Sequence, residues 1–205
     1  MQLYVTHFSP FARIARVALR EKQLEDRIEE VTAITREPDS PYYKINPSGR
    51  VPYLVCEDGV GIEGSQPVCY YLDHLAGVPV LHAPEGETGV ARRRLEEYAR
   101  SVVDNVSVLI RELARPPQDR SAVILEHERQ RLKRLADFWD GEIDHPLMRG
   151  DLNMPQISLA CGLLLDEWYA GLNWREGRPR LASWADLHAA RTSFIDTRAH
   201  GQFEP

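Results

Sequence analysis

The chain has 205 residues, 43% of them hydrophobic and 27% charged, and its formal net charge is −6. This composition is ordinary for a globular protein with one compact domain or two small ones. Both halves are mildly acidic and no apolar run is long enough to span a bilayer, so we expect neither nucleic-acid binding nor membrane insertion. The three cysteines have neither metal-ligand nor CxxC spacing, which predicts no metal site and a reducing, cytoplasmic setting.

The first part of the chain carries a strand, a helix and a second strand. Residues 2–6 read as a strand, and Ser9-Pro10 begins a segment with apolar residues at helical spacing. Proline fits the first turn of a helix because an N–H at that position would have no partner within the helix. Residues 27–33 are a second strand candidate, and the β-α-β order predicts a parallel pair.

A hairpin and another helix come next. Asp58-Gly59 is a hairpin signal between two short runs, residues 53–56 and 60–63. Ser65 then opens another segment with helical periodicity. The hairpin strands are antiparallel whereas the first pair is parallel, so we expect a mixed sheet. This order of elements matches a thioredoxin-like domain.

Turn residues precede the hairpin. Asn46 starts a turn and Gly49 supplies a positive φ. Pro52 cannot donate to a sheet ladder, so it belongs at a strand start or an edge, in a sharp turn with a trans or cis peptide bond. Such a turn leaves the N–H and C=O of Val51 free to pair with an extended peptide ligand. The hydroxyl of Ser65, at a helix N-terminus, would suit a carboxylate.

The remainder of the chain is predicted to be helical. Residues 77–89, rich in proline and glycine, are the best linker candidate. Asn153 and Gln156 predict a capping box before a helix that is apolar almost all round and therefore buried. The predicted helices cover residues 95–113, 121–143, 157–169 and 184–195.

Taken in order, these features resemble the glutathione S-transferase family. The family pattern is N-P-x-G-[KR]-V-P-x-L, a hairpin, and then [ED]-S-x-A-I-x-x-Y-L, which corresponds to residues 46–54 and 64–72 here. Residues 173–194 resemble the W-R…P-x-L-x-x-W…R-x-S-F ending of bacterial members. The resemblance therefore covers nearly the whole chain.

The resemblance implies a two-domain α+β architecture. We expect a thioredoxin-like N-terminal domain with a mixed four-stranded sheet over residues 1–78, which would bind glutathione. A linker over residues 79–88 would lead to an all-α helical bundle domain over residues 89–205. Family members of this type are commonly homodimers, so a homodimer is expected by resemblance.

The family also implies roles for five residues around glutathione. The backbone of Val51, presented by the turn at Pro52, would pair with the cysteinyl part of the tripeptide. Ser65 and its helix N-terminus would hold the γ-glutamyl carboxylate, and Arg50 takes the basic position near the glycyl carboxylate. The acid that pairs with the ligand's α-amino group in the family is replaced by Gly64, which puts affinity or selectivity for glutathione in question. Glu63, one residue earlier, lies on the other face of a strand.

Glutathione transfer requires the thiolate, because a free thiol titrates near ~8.5 and the thiolate is the nucleophile. The family places its thiol-activating residue at the turn after the first strand, which corresponds to Ser9. Ser9 would donate a hydrogen bond to the sulfur and is not itself the nucleophile; a helix cap is the alternative, compatible interpretation. No cysteine lies at this turn, which argues against glutaredoxin-like chemistry. Inert, buried thiols are expected at Cys56, Cys69 and Cys161.

Candidate contacts for the second substrate follow from the same resemblance. Phe11, Tyr98, Val102 and Asn105 would line a pocket for a small apolar electrophile, although helical periodicity explains Tyr98 and Val102 equally well as core residues. Glutathione S-transferase activity is the leading hypothesis. A binding or regulatory protein on the same fold with weak or no catalysis, or a glutathione-dependent peroxidase or isomerase, remains an alternative.

Overall fold

The computed structural model describes residues 1–82, 86 and 89–199. Within these residues the chain forms two compact units. The first contains residues 1–82 together with 196–199, and the second contains residue 86 and residues 89–195. The predicted linker, residues 79–88, includes residues 83–85 and 87–88, which lie outside the described part of the chain.

The first unit is built on a four-stranded mixed sheet, as predicted. Its strands are β1 (Gln2–Val5), β2 (Glu29–Thr32), β3 (Tyr53–Val55) and β4 (Gly61–Glu63), in the spatial order β2-β1-β3-β4. The pair β1 and β2 is parallel, whereas β3 is antiparallel to both β1 and β4. Leu3, Val5 and Leu54 are almost completely buried, so the central strands supply the sheet's part of the core.

Two helices accompany the sheet, α1 (Pro10–Glu21) and α2 (Ser65–Leu75), and they pack against each other. The apolar residues predicted for α1, among them Ile14 and Ala18, are buried. This burial explains why a 12-residue helix is stable here, because short isolated helices are marginal in water.

Two arginines of α1 are also buried and bind a segment that sequence reasoning assigned to the helical domain. Arg16 donates to the carbonyl oxygen of Thr197 at 3.0 Å, and Arg13 donates to its hydroxyl at 3.5 Å. Arg16 also forms an ion pair of 2.7 Å with Glu30 on β2. Residues 196–199 therefore belong to the first unit, because these long-range bonds place Thr197 in its interior.

The second unit contains six helices within the described residues, and none of them is long and apolar enough to cross a membrane. The helix α6 is buried along its whole length and packs mainly on α3, as expected for the centre of a bundle. Gly162 allows this close approach, because a Cβ there would lie 3.2 Å from Val102 Cγ1. The helices are α3 (Val90–Ala114), α4 (Ala122–Glu142), α5 (Pro146–Arg149), α6 (Met154–Leu163), α7 (Pro179–Ala189) and α8 (Thr192–Ile195).

The prediction of a helix over residues 157–169 was wrong at both ends. Asn153 caps Gln156, so the helix begins at Met154. It ends at Leu163, whose carbonyl oxygen accepts a hydrogen bond of 2.9 Å from the indole of Trp174. The reciprocal half of the capping box is absent, since the Gln156 side-chain oxygen faces His188 Nε2 at 3.4 Å. The Gln156 amide nitrogen donates to the carbonyl oxygens of Leu147 in α5 and of Asp151 after it.

The last predicted helix, residues 184–195, is divided in the structure. The helix α7 begins earlier, at Pro179, and the N–H of Leu181 in its first turn donates to the carboxylate of Asp140 at 2.9 Å. A carboxylate from another helix thus satisfies a group that the helix itself leaves unpaired. The chain turns after Ala189, and Thr192 begins the short helix α8.

Candidate functional site

Ser9 lies in the turn between β1 and α1, where it caps the helix. Its backbone is extended, with φ −78° and ψ 117°, and its hydroxyl oxygen accepts a hydrogen bond from the N–H of Ala12 at 3.2 Å. Pro10 occupies the first helical position and lacks an N–H. The cap uses a lone pair of the hydroxyl, so the hydroxyl hydrogen of Ser9 is still able to donate to a ligand.

The loop before β3 is organised around the carbonyl oxygen of Arg50. This oxygen accepts hydrogen bonds from the Tyr42 hydroxyl at 2.5 Å and from the Asn46 side-chain amide at 3.0 Å. Burial raises the pKa of Tyr42 to about 12, so the phenol is protonated and able to donate at physiological pH. Tyr42 and Asn46, both buried, thereby fix the peptide group that precedes Val51.

Val51 presents unpaired backbone groups. The Val51–Pro52 peptide bond is cis, and the sheet ladder begins only at Tyr53. Neither the N–H nor the C=O of Val51 bonds to another described residue. Both groups are therefore able to pair with an extended ligand, as a neighbouring strand would.

The N-terminus of α2 offers a further unpaired group, the hydroxyl of Ser65. Gly64, with φ 93°, is the N-cap, and Ser65 is the first helical residue, so the Ser65 hydroxyl is not used as a cap. This hydroxyl makes no hydrogen bond to any other described residue, although Ser65 is only 6% exposed. A hydroxyl and first-turn N–H groups at the positive end of a helix form a site for a carboxylate.

The sheet register brings these parts to one end of the first unit. Tyr53 lies opposite Tyr4 near the end of β1 and opposite Glu63 at the end of β4. The N–H of Gly64 then donates to the carbonyl oxygen of Pro52 at 3.0 Å. The structure therefore places five predicted residues around the same end of the sheet: Ser9, Val51, Pro52, Gly64 and Ser65.

Arg50 lies beside this group with an exposed side chain that has no partner among the described residues. Its N–H donates to the Ser48 hydroxyl at 3.2 Å, and that hydroxyl in turn donates to the carboxylate of Glu63. Glu63 is thus engaged with the loop, and the first turn of α2 contains no acidic residue. Sequence reasoning missed the Ser48 to Glu63 bond and the roles of Tyr42 and Asn46. Glu63 reaches Ser48 from strand β4, and no turn rule pairs the side chains of Tyr42 and Asn46 with the Arg50 carbonyl oxygen.

The candidate electrophile contacts have different surroundings. Val102 and Asn105 are fully buried on α3, Val102 against Gly162 and Asn105 through a bond of 2.8 Å to the carbonyl oxygen of Glu128. These contacts are helix packing, so neither side chain faces an open surface, contrary to the pocket expected from the sequence. Tyr98 is 41% exposed and Phe11 is half-buried, so these two remain candidates.

The exposed face of Tyr98 is held in a defined position. Its ring stacks on that of Phe138 with centroids 4.4 Å apart, and the guanidinium of Arg94 lies 5.3 Å from the Tyr98 centroid.

The three cysteines are buried and form no disulfides, as expected.

The family model described as "Glutathione S-transferase, N-terminal domain" matches residues 8–75. Over 199 residues the chain is 27% identical to the uncharacterized GST-like protein YibF of Escherichia coli (strain K12), covering 96% of this chain and 98% of YibF.

Two solved structures are similar over nearly their whole length. A glutathione transferase family member from Pseudomonas fluorescens Pf-5, with bound glutathione, is 26% identical with a TM-score of 0.87, covering 98% of this chain and 99% of that one. A glutathione S-transferase from Methylobacillus flagellatus KT, also with glutathione bound, is 28% identical with a TM-score of 0.84, covering 97% and 99%.

Proposed function

Because the chain belongs to the glutathione S-transferase family, we propose that it binds glutathione in its first unit and conjugates the tripeptide to a small apolar electrophile. The observation that carries this proposal is the set of unpaired groups at one end of the sheet. The Val51 N–H and C=O pair with the cysteinyl part of glutathione, and the Ser65 hydroxyl donates to the γ-glutamyl carboxylate. Arg50 lies close enough in the chain to serve the glycyl carboxylate.

Ser9 supports the chemical step. A hydrogen bond from its hydroxyl stabilises the thiolate more than the thiol and therefore lowers the pKa of the glutathione sulfur. The positive end of the α1 dipole acts in the same direction. The thiol proton leaves to solvent, and the thiolate forms an S–C bond to the electrophile. The bond from that carbon to its leaving group breaks at the same centre, and the leaving group departs with the electron pair, as a halide ion or as an epoxide oxygen that takes a proton from solvent. Tyr98 and Phe11 are the proposed contacts for that second substrate.

The first test is a calorimetric titration of the protein with reduced glutathione. We expect saturable binding that Ser65→Ala weakens about tenfold, the size of one hydrogen bond to a charged group, whereas Ser65→Thr retains it. Absence of both heat and thermal stabilisation at about 10 mM glutathione would overturn the proposal, since a ligand of the native state must stabilise it.

Ser9 is tested by the ultraviolet absorbance of the bound thiolate as a function of pH. We expect Ser9→Ala to raise the apparent pKa of bound glutathione while leaving its Kd nearly unchanged at a pH below that pKa, where the thiol form is bound. An identical titration curve in the variant would assign Ser9 to capping alone.

One observation favours a second candidate function. No carboxylate occupies position 64, and Glu63 is bound by Ser48, so the α-amino group of glutathione lacks the partner that the family pattern provides. A binding or regulatory protein with little catalysis would tolerate this loss. Glutathione binding without turnover across a panel of aryl halides, epoxides and peroxides would favour it.

We also propose that the protein is a cytoplasmic homodimer. The cytoplasm keeps glutathione in the thiol form that the mechanism needs. Sedimentation at micromolar concentration tests the assembly, and a monomer there would remove the dimer from the proposal.

A further inference from the structure

A groove of about 720 Å³ lies in the helical unit, and none of its lining residues is among those assigned to glutathione or its electrophile. Its walls come from the end of α4, from α5 and from α7. The volume is within the range of sites that enclose small organic ligands. The groove therefore has room for a ligand of its own.

The floor of the groove is apolar and fixed. Met148 is 1% exposed and Trp184 6%, and the indole of Trp184 donates to the Met148 carbonyl oxygen at 2.8 Å. The ring of His188 packs on that of Trp184 with centroids 3.9 Å apart. Leu187, which also lines the groove, exposes 72% of its surface and adds an apolar contact that a ligand would cover.

The mouth of the groove is cationic. Arg149 and Arg180 both form ion pairs with the single carboxylate of Asp144, which leaves one net positive charge in that cluster. Arg191 also lines the groove, so its lining holds three guanidinium groups and one carboxylate. The chain as a whole carries a net charge of −6, so this local excess is not a consequence of composition.

We propose that the groove binds a small amphipathic carboxylate, with its apolar body on Trp184 and Leu187 and its carboxylate on Arg149 and Arg180. A guanidinium group matches a planar carboxylate with two parallel hydrogen bonds. An inorganic anion would leave the apolar floor uncovered, and a neutral apolar molecule would leave the cationic mouth without a partner. The ligand competes with Asp144 for the two arginines.

The test uses 2-naphthoate as the probe, titrated calorimetrically into the full-length protein. Binding should be measurable at about 1 mM probe or below. Arg180→Gln should weaken it about tenfold or more, the size of a lost charge-assisted bond. Asp144→Asn should tighten it several-fold, because the competing carboxylate is removed. A purely structural role of these surface residues would not give opposite signs.

Two controls locate the apolar half. Leu187→Gln should weaken binding, whereas Val123→Gln, which replaces an equally exposed apolar residue on α4, should not. The neutral analogue 2-naphthalenemethanol should bind at least about tenfold more weakly than the carboxylate. Each of three results would overturn the proposal: no binding of 2-naphthoate, equal affinity for the alcohol, or unchanged affinity in both Arg180→Gln and Asp144→Asn.

Discussion

The N–H of Gly64 donates to the carbonyl oxygen of Pro52 over 3.0 Å. This bond joins the turn that exposes Val51 to the helix start that carries Ser65. Gly64 has φ 93° and ψ 151°, a region that essentially only glycine occupies without strain. The residue that departs from the family pattern is therefore also the one whose backbone shapes the candidate site.

Replacing Gly64 by alanine should destabilise the protein by about 1–3 kcal/mol, the cost of holding a residue with a Cβ in this conformation. The added Cβ would meet only Pro67 Cδ, at 3.7 Å, so the effect arises from backbone strain and not from a clash. Urea denaturation measures it. Gly141→Ala is the matched control, since it lies inside α4 with open space around it and should stabilise by up to about 1 kcal/mol. An unchanged midpoint for Gly64→Ala would contradict the prediction.

A glutamate at position 64 would restore the acid of the family pattern, and it allows the effect of the charge to be separated from that of backbone strain. Gly64→Glu carries the same backbone cost as Gly64→Ala, so the comparison between these two variants isolates the carboxylate. We expect Gly64→Glu to bind glutathione about tenfold more tightly than Gly64→Ala, through a charge-assisted bond to the α-amino group. Calorimetry gives both Kd values. Equal values would mean that the amino group of the ligand does not reach position 64.

Local sequence patterns predicted the parts of the candidate site but not the bonds that hold them. The turn at Asn46 and Gly49 was predictable because each residue has a local conformational reason to be there. The bond from Tyr42 to the Arg50 carbonyl, and that from Ser48 to Glu63 on β4, depend on how separate segments fold onto one another. No periodicity or turn rule encodes such pairs.

The difference between local signals and long-range bonds also explains which helix boundaries were predicted well. For α4, apolar periodicity and a Ser121 cap were sufficient, because the helix itself carries those signals. The same periodicity located the end of α3, although this helix begins at Val90, before the predicted residue 95. The ends of α6 and α7 depend on Trp174 and Asp140, which bind the terminal backbone groups from distant positions. Helix boundaries set by tertiary partners are not visible in a local window.

The tyrosine that holds the Arg50 carbonyl provides another test. Tyr42→Phe removes a bond of 2.5 Å to that oxygen while keeping the ring, and should cost about 1 kcal/mol of stability. Because the next peptide presents Val51, we also expect a several-fold increase in the Kd for glutathione. Tyr43→Phe is the control, since the Tyr43 hydroxyl accepts from the Arg36 N–H and makes no hydrogen bond to Arg50. Identical Kd values for the two variants would show that the Arg50 carbonyl does not position the ligand.

Asp73 gives a prediction for the dependence of stability on pH. Its carboxylate is fully buried on α2, where it accepts from Lys22 at 2.8 Å and from the N–H groups of Val80, Leu81 and His82 at 3.0 Å each. The His82 ring lies 2.9 Å away. Burial by itself would raise the pKa of Asp73, but the bonds from Lys22, Val80 and His82 outweigh it and lower the pKa to about 2.

A carboxyl group whose pKa is lower in the folded protein than in the unfolded chain stabilises the fold at any pH above its unfolded-state pKa. This stabilisation is lost as the pH falls through its folded-state pKa. For Asp73 the contribution is therefore complete above about pH 4 and disappears as the pH approaches 2, with a size of about 2 kcal/mol.

Asp73→Asn should lower stability at neutral pH and flatten this part of the acid profile, measured by urea denaturation at closely spaced pH values. Asp26→Asn, at an exposed site, should leave the profile unchanged. A profile equally steep in Asp73→Asn would assign the acid sensitivity to other carboxylates, such as Glu30, whose pKa Arg20 and Arg16 lower against the effect of burial.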